Sequence, residues 1–284
     1  MKKVGFIADS SLELKLNEEK IEDIYIMRQR VIIENKEYVD QIDLHSEDIF
    51  KAQRENFNMS TSAPLLGESI ALIEQCLEQY EQLIIFPISS YLSKFHENLV
   101  QMVSSMPYAH RVFIVDTHHI SYGLLSLIRD AKKLLEQGIE IQTLVEKLEQ
   151  ESEQEAFLIP ANMTYLAKGG RVNNLVASLG NLLKIIPIIS FGSKPMYVLE
   201  KVRTNKKAYK VACEHLLSNL ENINDYRFAI IYGDNSQKDK IMDYEEFRSQ
   251  LPSEIEIVSR EFGATLLCHT GADSIAFVRV KKML

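Results

Sequence analysis

Tryptophan is absent from this chain, and cysteine occurs only three times in 284 residues, as Cys76, Cys213 and Cys268. The three are scattered without paired spacing, which argues against a disulfide framework and for a reducing, cytoplasmic setting. Basic residues are outnumbered, 32 Lys and Arg against 40 Asp and Glu, giving a net charge of -8. An unspecific nucleic-acid binder would carry a basic face instead. Bulk attraction to anionic membrane is disfavoured for the same reason, leaving only transient surface contact through a local basic patch. No apolar run is long. Residues 182–189 are interrupted by Lys184 and Pro187, whereas a bilayer span needs about 20 apolar residues. The early apolar stretch stops at Asp9, too soon for a signal-peptide core. Also missing are a phosphate-binding P-loop, a Gly-Xaa-Ser-Xaa-Gly elbow and metal-ligand spacing. No catalytic residue, cofactor or metal site is therefore assigned.

What the chain does have is apolar residue, 46% of the total, enough for a large core. Short apolar runs at 4–8, 83–88, 111–115, 157–159, 185–189 and 228–232 read as strands. Leu66, Ile70, Ile73, Leu77 and Tyr80 recur at spacings of four and three, as on one face of a helix. Leu124, Leu125, Ile128, Leu134 and Leu135 mark another helix, closed by Gly138. Strands alternating with helices imply an α/β fold with a parallel sheet covered on both faces. After an acidic, polar stretch at 149–155 the pattern changes to a Gly-Gly turn, short helices, a hairpin over 185–203 and two further strand-helix units. The expectation is two α/β domains, 1–155 with the parallel sheet and 156–284 with a mixed sheet.

Several polar turns lie at strand ends, where open α/β sheets bind ligands. Asp9-Ser10-Ser11 follows the first strand and reads either as a helix cap or as part of a site. Ser60-Thr61-Ser62 stands before Pro64 and a strong helix. One hydroxyl there would cap the helix; three adjacent hydroxyls exceed that need and could hold an anion. Ser89, Ser90 and Ser93 follow the strand ending near Ile88. His118-His119 reads as a surface or capping pair, because no metal partners lie at useful spacing. His269-Thr270-Gly271 sits between apolar segments, where a satisfied, partly buried histidine competes with a ligand-binding one. Lys168-Gly169-Gly170-Arg171 follows a helical end and reads as a C-cap. Lys201, Arg203, Lys206, Lys207 and Lys210 form a basic group, either a solvated face or a docking patch for an acidic partner.

Taken in order, these segments resemble the DegV family. The resemblance is carried by Asp9-Ser10, Thr61-Ser62-Ala63-Pro64, Ser89-Ser90-Tyr91-Leu92-Ser93 and Asp116-Thr117 with Tyr122-Gly123. It continues through Leu166-Ala167-Lys168-Gly169-Gly170-Arg171, Lys184-Ile185-Ile186-Pro187-Ile188, Lys201-Val202-Arg203 and His269-Thr270-Gly271. It spans essentially the whole chain. It implies a three-layer α/β/α N-terminal domain and a two-layer C-terminal domain. It also implies a bacterial protein that buries a long-chain fatty acid in a tunnel. The acid's carboxylate would be presented to a separate ATP-binding subunit of fatty acid kinase, for acyl-phosphate formation in phospholipid synthesis. ATP and metal would belong to that partner, and this chain would be its non-catalytic lipid-binding subunit. Carried over by motif, Thr61, Ser62, Ser93 and His269 form the carboxyl site, with Ser90 and Thr270 beside them; Arg171 and Arg203 match basic positions linked to docking. Two positions depart from the family pattern: Lys94-Phe95-His96 replaces Gly-Thr-Tyr, and Ala63 stands where Gln is common. The readings from another class are a regulatory or transport protein for some other apolar acid, and a stand-alone serine-dependent hydrolase.

Overall fold

The computed structural model describes residues 2–160, 163–168, 185–234, 248 and 252–284. In chain order its elements begin with β1 (Lys2–Asp9), α1 (Leu16–Glu22), β2 (Tyr25–Met27), β3 (Arg30–Ile33), β4 (Lys36–Val39), α2 (Ser46–Arg54) and β5 (Met59–Ser62). There follow α3 (Leu66–Leu77), β6 (Tyr80–Phe86), α4 (Phe95–Ser104), β7 (Val112–Ile114), α5 (Ser121–Glu136) and α6 (Ile141–Glu151). The rest comprises β8 (Gln154–Ile159), α7 (Met163–Lys168), β9 (Ile186–Gly192), β10 (Tyr197–Val202) and α8 (Asn205–Leu216). β11 (Tyr226–Tyr232), β12 (Ile257–Glu261), α9 (Ala264–Thr270) and β13 (Ile275–Lys281) complete it. Among the described residues no helix is long and apolar enough to cross a membrane.

A parallel sheet in the order β2-β1-β6-β7 forms the N-terminal half. β1, β6 and β7 read as apolar runs because both faces are covered, whereas the three-residue edge strand β2 was not foreseen. In β6, successive side chains point to opposite faces. Ile84 and Phe86 enter a cluster with Leu124, Leu125 and Ile128 of α5. Leu83 and Ile85 enter another with Ile73 and Leu77 of α3 and Leu99 of α4. The helical spacing read over Leu66, Ile70, Ile73 and Leu77 holds, but Tyr80 opens β6.

The second half is a mixed six-stranded sheet, β10-β9-β8-β13-β11-β12. Its period-two alternation divides the core again. Phe157, Phe228, Ile230 and Phe277 pack under α8. Leu158, Ala229, Ile231 and Val278 face α9. The hairpin expected over 185–203 is present as the antiparallel pair β9 and β10.

A whole sheet also lies outside the sequence reading. β4-β3-β5 form a small antiparallel sheet. With α2, it places Val31, Ile33, Ile49 and Met59 in the cluster that covers the mixed sheet. The segment thus begins in the N-terminal half and packs on the C-terminal one. Polar contacts fix it there: Gln53 Nε2 donates to Leu267 O at 2.9 Å, and Gln53 Oε1 accepts from Ala272 N at 2.9 Å.

The halves also meet through α5. Asp130, almost fully buried, holds Arg227 of β11 through two hydrogen bonds of 2.7 Å. At Gly123 a Cβ would lie 2.3 Å from Gln154 Cδ. Only glycine lets the helix close on the Gln154 side chain, which binds both backbone groups of Ile120.

Candidate functional site

Where the small sheet, the turn after β6, the mixed sheet and α9 meet lies a narrow apolar slot. It holds about 750 Å³ of atom-free space with its open mouth included, of which about 90 Å³ is wide enough for the centre of a water molecule. Ile88, Leu158, Phe191, Met196 and Phe262 supply much of its apolar wall. Met196 is the pliable member, since an unbranched thioether repacks readily. Among the described residues lining the slot there is no Asp, Glu, Lys or Arg.

Its polar groups come from three places. Thr61 and Ser62 project from β5, Ser93 from the turn before α4, and His269 and Thr270 from the end of α9. The hydroxyls at 60–62 do not cap a helix: they lie in a strand, and α3 starts later, with Leu65 at its N-cap and no side-chain cap bond. Strand pairing with β3 outweighs the capping signal of the sequence, and threonine suits a strand. Thr61 Oγ1 lies 2.8 Å from His269 Nε2, across 208 positions of sequence. α9 ends there because Gly271 adopts φ 89°, a conformation that favours glycine. Ser93 Oγ accepts from Phe95 N at 3.2 Å, leaving its hydroxyl proton available as a donor. Thr270 Oγ1 accepts from Ser274 Oγ at 3.0 Å.

Five of the six expected binding residues therefore share one cavity. Ser90 does not. Its Oγ lies 3.1 Å from His118 Nδ1, outside the slot. Arg203 is exposed just after β10, and Arg171 lies outside the described residues, as do Gly169 and Gly170. Lys94 turns to solvent, 76% exposed, and pairs with Glu97 at 2.7 Å. It neither enters the slot nor narrows it. The histidine pair also divides. His118 is half-buried beside Asp116, but His119 is fully buried, and burial lowers its pKa to about 4.

Asp9 fulfils its capping role, accepting from Ser11 N at 2.8 Å, and also receives Ile88 N at 2.5 Å. Burial pushes its carboxyl up to about 6. Cys268, next to His269, is also buried, and desolvation drives its thiol pKa far upward, so it is no thiolate nucleophile. Ser90, His118 and Asp116 invite a hydrolase reading, but Ser90 Oγ and Asp116 Oδ1 both approach Nδ1, at 3.1 and 3.0 Å. A catalytic triad needs its acid and nucleophile on opposite ring nitrogens.

The sequence reading missed Gln29 and Thr265, which also line the slot. Thr265 stands four residues before His269 on α9 and thus on the same helical face. That spacing was a usable signal. Gln29 had none, because the strand it introduces was not foreseen.

A family model described as "Uncharacterised protein, DegV family" matches residues 3–282. A DegV domain-containing protein of Streptococcus pneumoniae is 30% identical over 278 residues, 96% of this chain and 97% of that one. Among solved structures, a fatty acid binding DegV family protein from Streptococcus agalactiae is 28% identical. Its TM-score is 0.84, covering 99% of this chain and 100% of that one. A stearic-acid-binding protein from Eubacterium ventriosum, 20% identical, shares the fold at TM-score 0.85, with 99% of each chain covered.

Proposed function

Because this chain belongs to the DegV family, we propose that it binds a long-chain fatty acid and presents the carboxyl group to a separate ATP-dependent kinase, which makes the acyl phosphate. The observation that carries this reading is one apolar slot, free of charged lining among the described residues, with Thr61, Ser62, Ser93 and His269 gathered on it.

The physical logic follows from the ligand. At ~0.8 kcal/mol per methylene, about 15 methylenes gain on the order of 12 kcal/mol on leaving water. Taken from a membrane, the chain gains almost none of this, because lipid tails are equally apolar. Discrimination then rests on slot shape and head group. Hydroxyl groups hold a carboxyl through neutral donors. An Arg fork would hold it more tightly and draw charge from the oxygen that must attack phosphorus. His269 steadies Thr61 and tunes the acid's protonation. This chain supplies position, and the partner supplies ATP, metal and charge stabilisation. Arg203 and the exposed basic group around it form the docking face, with Arg171 assigned to the same role. A cytoplasmic place between membrane and kinase fits such a carrier.

Mass spectrometry of organic extracts from the purified protein should find a long-chain acid near one per chain. A protein that carries none, and takes none up from fatty-acid-loaded vesicles, would refute the reading. His269→Ala should lower acyl-phosphate formation with the kinase while the protein stays folded. Arg203→Ala should weaken docking and retain lipid; the reverse outcome would remove Arg203 from the docking face.

A further inference from the structure

Gln29 is the lining residue contributed by the entrance to the small sheet. It immediately precedes β3, is only 5% exposed, and lines the cavity beside Ser62 and Ala63. Its backbone is held at both ends: its N–H donates to Ser10 Oγ and its C=O accepts from Asp40 N, each at 3.1 Å. Its side-chain Nε2 donates to Asp9 Oδ1 at 3.4 Å. The remaining atom, Oε1, has no hydrogen-bond partner among the described residues. A buried carbonyl left in that state is destabilising, and native interiors rarely keep one without a reason.

The amide orientation follows from its surroundings. Asp9 already collects the N–H groups of Ser11 and Ile88, which favour an ionised acceptor. Turning the amide over would set two acceptor oxygens against each other. Gln29 therefore brings a buried, unpartnered carbonyl oxygen to the wall of the slot. An ionised carboxylate is acceptor-only and gains nothing from it; a hydroxyl proton does.

We propose that Gln29 is a specificity-determining residue whose side-chain carbonyl accepts a hydrogen bond from an O–H group of the bound acid. This rests on the fatty-acid reading above. The O–H belongs either to a hydroxyl on the acyl chain or to the carboxyl group itself in its neutral form. The charged and titratable groups around Gln29 are Asp9 of β1, Asp40 after β4, the flanking Arg28 and Arg30, and His269 across the slot. Asp40 accepts from Thr265 Oγ1 at 2.8 Å; Arg28 is bound to Glu19 and Arg30 to Glu68.

The test uses full-length, lipid-stripped protein and Gln29→Met, which keeps length and removes both polar atoms. Each is titrated with palmitate, 3-hydroxypalmitate, stearate and 12-hydroxystearate from about pH 7 to pH 9, above the range where Asp9 takes up a proton. If the O–H is on the chain, the wild type prefers one hydroxy acid over its parent by about tenfold, the worth of one hydrogen bond, and Gln29→Met loses that preference. If it is the carboxyl proton, wild-type affinity for the plain acids falls as pH rises, and Gln29→Met is weaker at pH 7 with a flatter profile. A variant matching the wild type for all four acids at every pH would overturn the proposal. Where neither hydroxy acid is preferred, wild-type affinity that rises with pH would overturn it too, by making Gln29 a donor to a carboxylate. Should Gln29→Met not fold, the wild-type preference and pH profile decide alone. A wild type that binds none of the four acids overturns the fatty-acid reading, and this inference with it; binding without dependence on Gln29 overturns only the latter.

Discussion

Replacing Glu13 by glutamine would raise the stability of this protein at alkaline pH. Glu13 is 6% exposed and sits where the halves meet. Its Oε1 accepts from Gly263 N at 2.7 Å, at the start of α9, and its Oε2 from the Ser121 hydroxyl, at the start of α5. Burial nevertheless pushes its carboxyl from 4.5 up to about 7, against the pull of Ser121, Gly263 and Arg260. An acid with a raised folded-state pKa folds more easily when protonated. Stability from this group is thus full below the unfolded value and declines as pH rises from about 4.5 to about 7. Over the rise from 4.5 to about 7, at about 1.4 kcal/mol per tenfold change in proton concentration, the cost reaches ~3 kcal/mol above pH 7. Glutamine has the same outline. Its oxygen can accept from Gly263, and its nitrogen can donate to Ser121. Urea unfolding followed by circular dichroism, near pH 8.5, should show Glu13→Gln more stable by up to ~3 kcal/mol. Near pH 4.5 the two proteins should differ by under ~0.5 kcal/mol. Other acids cancel in the comparison. A difference independent of pH, or a variant weaker than the wild type near pH 8.5, would refute the reasoning.

Asp130→Ala should cost about 3–5 kcal/mol in the same assay, because it strands the Arg227 guanidinium at the joint between the halves. A loss under ~1 kcal/mol would show that solvent reaches the pair and replaces it. Lys94→Ala should change stability by less than ~0.5 kcal/mol and leave fatty-acid affinity, by isothermal titration, within about twofold. A tenfold change would mean that the ammonium turns inward when the slot is filled.

Much of the architecture was readable because β1, β6, β8 and β11 are buried on both faces and so appear as plain apolar runs. α3 and α5 carried their own period. The small sheet was not readable. β3 is a four-residue strand with a buried arginine at its start, and β5 is Met-Ser-Thr-Ser, with one apolar residue. Both are stabilised by distant partners rather than by their own pattern, and periodicity registers only local consistency. The same blindness shaped the site. Thr61, Ser62, Ser93, His269 and Thr270 could be gathered through the family resemblance, while spacing alone gave each of them an ordinary structural alternative. Ser90 sat in the right turn but alternates away from the slot toward His118. Gln29 belongs to a strand entrance that no sequence signal marked, and its unmatched oxygen shows only in three dimensions.

The small sheet carries Thr61 and, at its entrance, Gln29 to a wall shared with Ser93 from the middle of the chain and His269 near its end. A guest lodged there would touch segments far apart in the polypeptide at once. Each tenfold excess of free guest over its dissociation constant would add about 1.4 kcal/mol against unfolding. The added resistance would spread to both sheets, so a laden molecule would melt later and as a single unit. Thermal scans could thus sort full carriers from empty ones without any label on the cargo.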